Sequence, residues 1–294
     1  MKVPDTAEST VRLIAFDLDD TLLQEDLSIS EENRAAIIAA EQAGVTVLLA
    51  SGRVREAMYH YAEELGMTER EGYIVSGSGT DVIRTDTGEQ LLLHTLPVEE
   101  ATAVCIETID HGFPVSYYHA GRIISSGDNF WVRENGRLSG METVIDPELP
   151  ARISEDKPQK LVIAGDPDKL PALAKVLRQQ FGDTFHIIIS KPFFLEFLPK
   201  EADKGHALKY LAEYLGIEQA SVVAVGDSMN DLGMITYAGT GVAVGNAVAE
   251  IKEAADIVLD ETHADHTAAA LMQKLLPRCQ AQHPPNPRNS RNGL

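Results

Sequence analysis

In the first part of the chain, short and nearly unbroken apolar runs alternate with longer stretches whose apolar positions recur every three or four residues. Leu13–Phe16, Val45–Ala50 and Tyr73–Val75 are the short runs; Ser30–Ala43, stopped by Gly44, and Arg55–Leu65, stopped by Gly66, carry the helical period. A strand covered on both faces needs no polar alternation, so such runs linked by amphipathic helices predict a parallel sheet with crossover helices. Ser28 stands three residues before Glu31, the spacing of a capping box, and this puts a helix start there.

Between about Arg84 and Ser190 the pattern changes. Gln90–His94, Val115–His119, Arg122–Ser125 and His186–Ile189 read as strands, and Val98–Asp110 and Asp168–Phe181 as helices. The first pattern then resumes with Lys204–Leu215, Ser221–Val225, Asn230–Ala238, Gly241–Val244, Val248–Ala255 and Ile257–Leu259. The predicted architecture is α/β: a doubly wound Rossmann-like core of residues 11–83 and 191–276, with an inserted α+β cap domain at residues 84–190. Residues 1–10 have no apolar core and are expected to form a flexible N-terminus. Residues 277–294, poor in apolar side chains and with three prolines beyond Pro277, are expected to be a disordered tail.

Composition narrows the partners. The 45 acidic residues against 25 Lys and Arg give a net charge of −20, a field that repels polyanions, so neither a nucleic acid nor an anionic membrane is expected. Any phosphorylated ligand must be held by local cations, a metal ion and backbone N–H groups. The two cysteines, Cys105 and Cys279, form no CxxC pair, which speaks against a disulfide framework or structural zinc and suits a reducing, cytoplasmic location. No signal peptide and no membrane span are read from the sequence.

Two acidic clusters carry the candidate chemistry. Phe16-Asp17-Leu18-Asp19-Asp20-Thr21 runs an apolar strand straight into carboxylates, and in an extended segment Asp17 and Asp19 point the same way. Gly226-Asp227-Ser228-Met229-Asn230-Asp231 repeats the arrangement after Val222–Val225. Ligands of open α/β sheets bind beyond the carboxyl ends of the strands, and carboxylates from two such ends suit Mg²⁺, a hard cation that prefers oxygen donors. Ser51-Gly52-Arg53 ends another strand with a hydroxyl, a residue that admits close backbone approach and a cation. Lys204 opens a helix, where its charge opposes the positive helix end and calls for a nearby anion. Gly239-Thr240-Gly241 lacks the third glycine of a dinucleotide fingerprint, and His263 and His266 are too few to bind a metal and read as a capped surface helix.

This ordered set resembles the haloacid dehalogenase superfamily, and more narrowly its Cof-type phosphatases, whose cap lies between the second and third motifs. Asp17-Leu18-Asp19-Asp20-Thr21, Ser51-Gly52-Arg53, Lys204, and Asp227 with Asn230-Asp231 match the four motifs, and Leu195–Pro199 and Gly241–Ala247 match further parts of the pattern, from about Val11 to Leu276. The resemblance implies Mg²⁺ held by the Asp17 carboxylate, the Asp19 backbone carbonyl and Asp227, with Asp231 ordering the metal's surroundings. It implies Asp17 as nucleophile, Asp19 as acid and base, and Ser51 and Lys204 holding the phosphoryl group, with Gly52, Arg53 and Asn230 completing the substrate contacts.

The implied activity is hydrolysis of a small phosphorylated metabolite, of the sugar phosphate, pyridoxal phosphate or flavin-precursor type, by a monomer or small homo-oligomer. A phosphomutase on the same fold, or a non-catalytic phosphoacceptor module, are the alternative readings. Ser76-Gly77-Ser78-Gly79-Thr80 replaces the Asn-Gly-Ala common in the family. Tyr117, Tyr118, His119, Arg122, Asn129, Trp131 and Arg133 are cap residues that are candidates to line the substrate pocket, the aromatic ones alternatively filling the cap core.

Overall fold

The computed structural model describes residues 10–279, so the expectations for residues 1–9 and 280–294 lie outside it. Five strands precede the insertion: β1 (Leu13–Asp17), β2 (Thr46–Ala50), β3 (Tyr73–Ser76), β4 (Asp81–Arg84) and β5 (Gln90–Leu93). Six follow within it: β6 (Val115–His119), β7 (Arg122–Ser125), β8 (Glu142–Ile145), β9 (Leu161–Ala164), β10 (Phe185–Lys191) and β11 (Phe194–Pro199). The last three are β12 (Val222–Gly226), β13 (Thr240–Ala243) and β14 (Ile257–Val258). They form two sheets, an eight-stranded one ordered β14-β13-β12-β1-β2-β3-β4-β5 and a six-stranded one ordered β10-β11-β9-β6-β7-β8.

The predicted α/β class is observed. Strands β1, β2, β3, β12, β13 and β14 pair in parallel, and the residues Leu13 to Phe16 of the central strand are fully buried, as their unbroken apolar run requires. Register sets the site: Phe16 pairs with Val225 and Asp17 with Ala50, which brings the carboxyl ends of β12, β1 and β2 side by side.

Strand pairing moves two expected boundaries. Gln90–Leu93, expected in the insertion, is the edge strand of the core sheet, antiparallel to β4, with Leu91 and Leu92 packed on the core. Phe194–Pro199, expected in the resumed core, lies in the cap sheet between β10 and β9. The link from β10 to β11 is only residues 192–193, short enough to close a hairpin, and Leu195 and Phe197 are buried in the cap's own core. The two crossings between the domains therefore fall near residues 94–97 and 200–203.

At the expected first helix start, the Ser30 side chain accepts from Asn33 N and caps the helix Glu31–Gln42, whereas Ser28 bonds Asp26 and Gln24 in the preceding turn. The last helix, Thr267–Cys279, continues through Pro277, so residues 277–279 of the expected tail are helical.

The cap sheet has two unlike faces because side chains alternate along each strand. Tyr117, Leu161, Ile163, Leu195 and Phe197 pack under the helices Val98–Asp110, Leu149–Asp156 and Leu170–Phe181. Lys160, Val162, Ala164, Phe194, Glu196 and Tyr118 occupy the other face, where Lys160 reaches the core.

Candidate active site

Asp17 ends β1 and is 4% exposed. The chain turns at once: Leu18 and Leu22 anchor a tight loop in the core, Asp20 takes a left-handed φ of 59°, and Asn246 Nδ2 donates to Asp20 O at 2.7 Å. The turn splits the two carboxylates expected to point together. Asp17 Oδ1 accepts from Lys204 Nζ at 2.5 Å, while Asp19 forms a two-pronged pair with Arg53 at 2.9 and 2.6 Å. Burial raises the Asp19 pKa, but the Arg53 hydrogen bonds and charge outweigh it and leave the group more acidic than usual.

Asp227 and Asp231 complete the cluster from the loop after β12. Asp231 is fully buried; its Oδ2 accepts from Asp227 N and Ser228 N, both at 3.1 Å, and its Oδ1 from Lys204 Nζ at 2.6 Å. Two glycines permit this packing. A Cβ on Gly226 would stand 2.5 Å from the Cβ of Asp231, and one on Gly205 would stand 2.3 Å from the backbone of Gly233. The second contact lets the helix Lys204–Leu215 lie directly on Leu232–Tyr237 and carries Lys204 between the two carboxylates. The anion that the sequence position of Lys204 called for is thus a pair of aspartates. Burial would lower the lysine's pKa, but Asp17 and Asp231 raise it.

Among the described residues, the only group of three or more His, Cys, Asp or Glu side chains close enough to share an ion is Asp17, Asp227 and Asp231, with ligand atoms all within 4.8 Å of one another. Three carboxylates face one ammonium. Burial, and then the charge of Asp231, raise the pKa of both Asp17 and Asp227, the latter to about 6. Asp227 Oδ1 accepts from Thr21 Oγ1 at 3.2 Å, while Oδ2 of Asp17 and Oδ2 of Asp227 take no hydrogen bond from the described residues. Two unengaged oxygens in an electron-rich, all-oxygen donor set fit a hard divalent cation. Asp231 has both oxygens engaged and fits an outer, orienting position.

The same charge imbalance predicts a pH effect. A carboxylate whose folded pKa exceeds its unfolded value contributes stability that is complete below the unfolded pKa and is lost as pH rises through the folded one. For Asp227 that window runs from the ordinary 3.8 to about 6. In EDTA, the melting temperature of Asp227→Asn should therefore gain on the wild type as pH rises from 5 to 7, and a divalent cation should close the gap by stabilising the wild type. A gap independent of pH refutes the assignment.

Ser51, 1% exposed, follows β2, and its Oγ accepts from Arg53 N at 3.1 Å. The Ser76–Thr80 loop, which departs from the family pattern, supports it: Ser78 N donates to Ser51 O at 3.0 Å and Gly77 N to Arg53 O at 2.8 Å, with Gly77, Ser78 and Gly79 all at positive φ. Arg53 also lies 5.7 Å from the Tyr61 ring centre. Asn230 is exposed and borders a cavity of about 400 Å³, apart from the buried carboxylates. The cap candidates divide. Tyr117 is buried in the cap core and donates to Asp156, Asn129 caps the helix Phe130–Ser139, and Arg122 and Arg133 pair with Glu142 and Asp128 at the surface. Tyr118, Trp131 and His119 lie elsewhere: the first two pack on the other face of the cap sheet, and Tyr118 and His119 both border a cavity of about 270 Å³ between cap and core. His263 lies in a single turn, His263–Asp265, capped by Thr262 and Asp265.

Sequence reading placed Thr21 in the first motif but gave it no role, whereas its hydroxyl donates to Asp227, and it missed the Lys160–Glu196 pair, which reaches Gly52. The signal for the latter was a lysine in phase with Val162 and Ala164 on one strand face.

The sequence pattern of the haloacid dehalogenase-like hydrolases matches residues 14–271. A putative phosphatase of Bacillus subtilis, YxeH, is 30% identical over 90% of this chain and 98% of its own length. The 5-amino-6-(5-phospho-D-ribitylamino)uracil phosphatase YcsE of the same organism is 30% identical over 90% of this chain and 96% of its own. The crystal structure of a haloacid dehalogenase-like hydrolase from Bacteroides thetaiotaomicron superposes with a TM-score of 0.84 at 30% identity, covering 90% of this chain and 99% of that one. The chain belongs to the haloacid dehalogenase-like hydrolases. Within that family it is an enzyme of the phosphatase class, a phosphoric monoester hydrolase. No helix among the described residues is long and apolar enough to cross a membrane.

Proposed function

We propose that the enzyme is a magnesium-dependent phosphatase that hydrolyses a small phosphorylated metabolite through an aspartyl phosphate on Asp17. One observation carries the reading: the Asp17 carboxylate is buried at a strand end, steered by Lys204 through one oxygen, with its other oxygen unengaged beside Asp227. Asp17, the Asp19 backbone carbonyl and Asp227 would hold Mg²⁺, with Asp231 behind them. The ion would supply charge neutralisation for the phosphate.

In the first step an Asp17 oxygen bonds to phosphorus as the ester oxygen leaves with a proton from Asp19. In the second, water bonds to the same phosphorus, Asp19 takes its proton, and Asp17 is released with inorganic phosphate. Ser51, the N–H groups of Gly52 and Arg53, and Lys204 hold the phosphoryl oxygens. Phosphoryl transfer depends mostly on such positioning and charge neutralisation. The Arg53 pair suits Asp19 as the base of the second step; to act as acid in the first, Asp19 must part from Arg53 and take up a proton.

The substrate reading rests on the cap and on relatives such as YcsE, named for a phosphorylated ribityl-uracil. A phosphate-release screen over sugar phosphates, pyridoxal phosphate and flavin-precursor phosphates should give turnover with Mg²⁺ and none in EDTA. Turnover that needs a sugar bisphosphate, without net phosphate release, would instead mark a mutase. Full activity with metal shown to be absent would sink the proposed chemistry.

A further inference from the structure

We infer that Lys160, a cap residue, is a positioning residue for the phosphate-binding loop, holding the Gly52–Arg53 peptide with its carbonyl toward the cap. The inference rests on the proposed reading of the Ser51–Arg53 loop as the phosphoryl cradle. Three successive carbonyls of that loop are held from outside it: Ser51 O by Ser78 N at 3.0 Å, Arg53 O by Gly77 N at 2.8 Å, and Gly52 O by Lys160 Nζ at 3.1 Å. The first two holders belong to the core, whereas the third crosses from the cap sheet.

The Gly52–Arg53 peptide is where an external hold matters most. Glycine has the widest choice of backbone conformation, so a peptide that follows it turns over at little cost unless its oxygen is fixed. The same peptide carries the Arg53 N–H, which donates to Ser51 Oγ at 3.1 Å, and it leads into the guanidinium that grips Asp19. Turning it over would take a donor away from the cradle and move Arg53. A bond from an ammonium to a carbonyl is stronger than a neutral one, which suits this task.

The lysine is itself built in. Lys160 and Glu196 are 6% and 8% exposed, Nζ lies 3.1 Å from Glu196 Oε2, and Glu196 Oε1 accepts from Ser190 Oγ at 2.7 Å. The Tyr118 ring centre lies 5.4 Å from Nζ on the same cap face. Glu196 neutralises the charge that the carbonyl alone would leave buried. Cap placement and loop geometry are thereby joined through one side chain.

Lys160→Met alone would strand the Glu196 carboxylate and confuse lost stability with lost positioning, so the decisive variant is Lys160→Met/Glu196→Met, which removes both buried charges. It should melt near the wild-type temperature, lose about 10–100-fold in kcat, and bind orthovanadate, a mimic of the transferring phosphoryl group, more weakly by a similar factor, with KM nearly unchanged. Glu196→Gln, which keeps the ammonium on Gly52 O, should lose melting temperature but retain its kcat. Wild-type kcat and vanadate affinity in the folded double variant would overturn the inference, as would an equal kcat loss in Glu196→Gln. A wild-type chain that neither releases phosphate nor binds vanadate would overturn the reading of the site and this inference with it.

Discussion

Asp17→Asn is expected to abolish phosphate release, with kcat down by at least about 10⁴-fold and no phosphate found on the protein by mass spectrometry. The substitution keeps shape and volume, so it removes the proposed nucleophile without opening a cavity. It also removes one of three buried carboxylates that repel one another, and the metal-free variant should melt no lower than the metal-free wild type.

Asp19→Asn is the informative contrast. A sugar phosphate leaves as a basic alkoxide that needs a proton, and loss of acid help should slow its first step by about 10²–10⁴-fold. Nitrophenolate leaves without a proton, so nitrophenyl phosphate should give a burst followed by slow turnover, with phosphate trapped on Asp17. Equal losses on both substrates, with no trapped phosphate, would leave Asp19 as a partner of Arg53 and of the metal through its backbone only.

Lys204→Met should lower kcat by about 10²–10³-fold, the usual cost of removing one electrostatic contact to a developing charge. Its effect on stability is a correction made by the structure. From the helix position alone, losing this lysine should relieve repulsion at a positive helix end. In the fold, Lys204 is buried between Asp17 at 2.5 Å and Asp231 at 2.6 Å, so its removal strands two carboxylates. Breaking a buried pair costs about 3–5 kcal/mol. Urea unfolding in EDTA should show a loss of that order, and Mg²⁺ should recover part of it by neutralising the same carboxylates. An unchanged kcat would remove Lys204 from the proposed mechanism.

The sequence by itself determined the class of fold, the order of the motif loops and the residue types in them, because both follow from local pattern. Unbroken apolar runs such as Leu13–Phe16, too short for a helix and alternating with amphipathic helices, fit strands buried on two faces, and a carboxylate at the end of such a run falls at the carboxyl edge of a parallel sheet. Tertiary structure decided what depends on which segment meets which. Gln90–Leu93 and Phe194–Pro199 carry patterns compatible with either sheet; pairing with β4 put the first in the core, and pairing with β10 and β9 put the second in the cap. Asp17 and Asp19, two apart in sequence, found different cations because the chain leaves the extended geometry that would have aligned them at Leu18, directly after the strand ends. Lys160 lies 108 positions from Gly52 along the chain, and its contact exists only because the cap sheet lays that face on the loop. A one-dimensional pattern records which face of an element is buried; the partner on the far side of that face is chosen only when distant segments fold together.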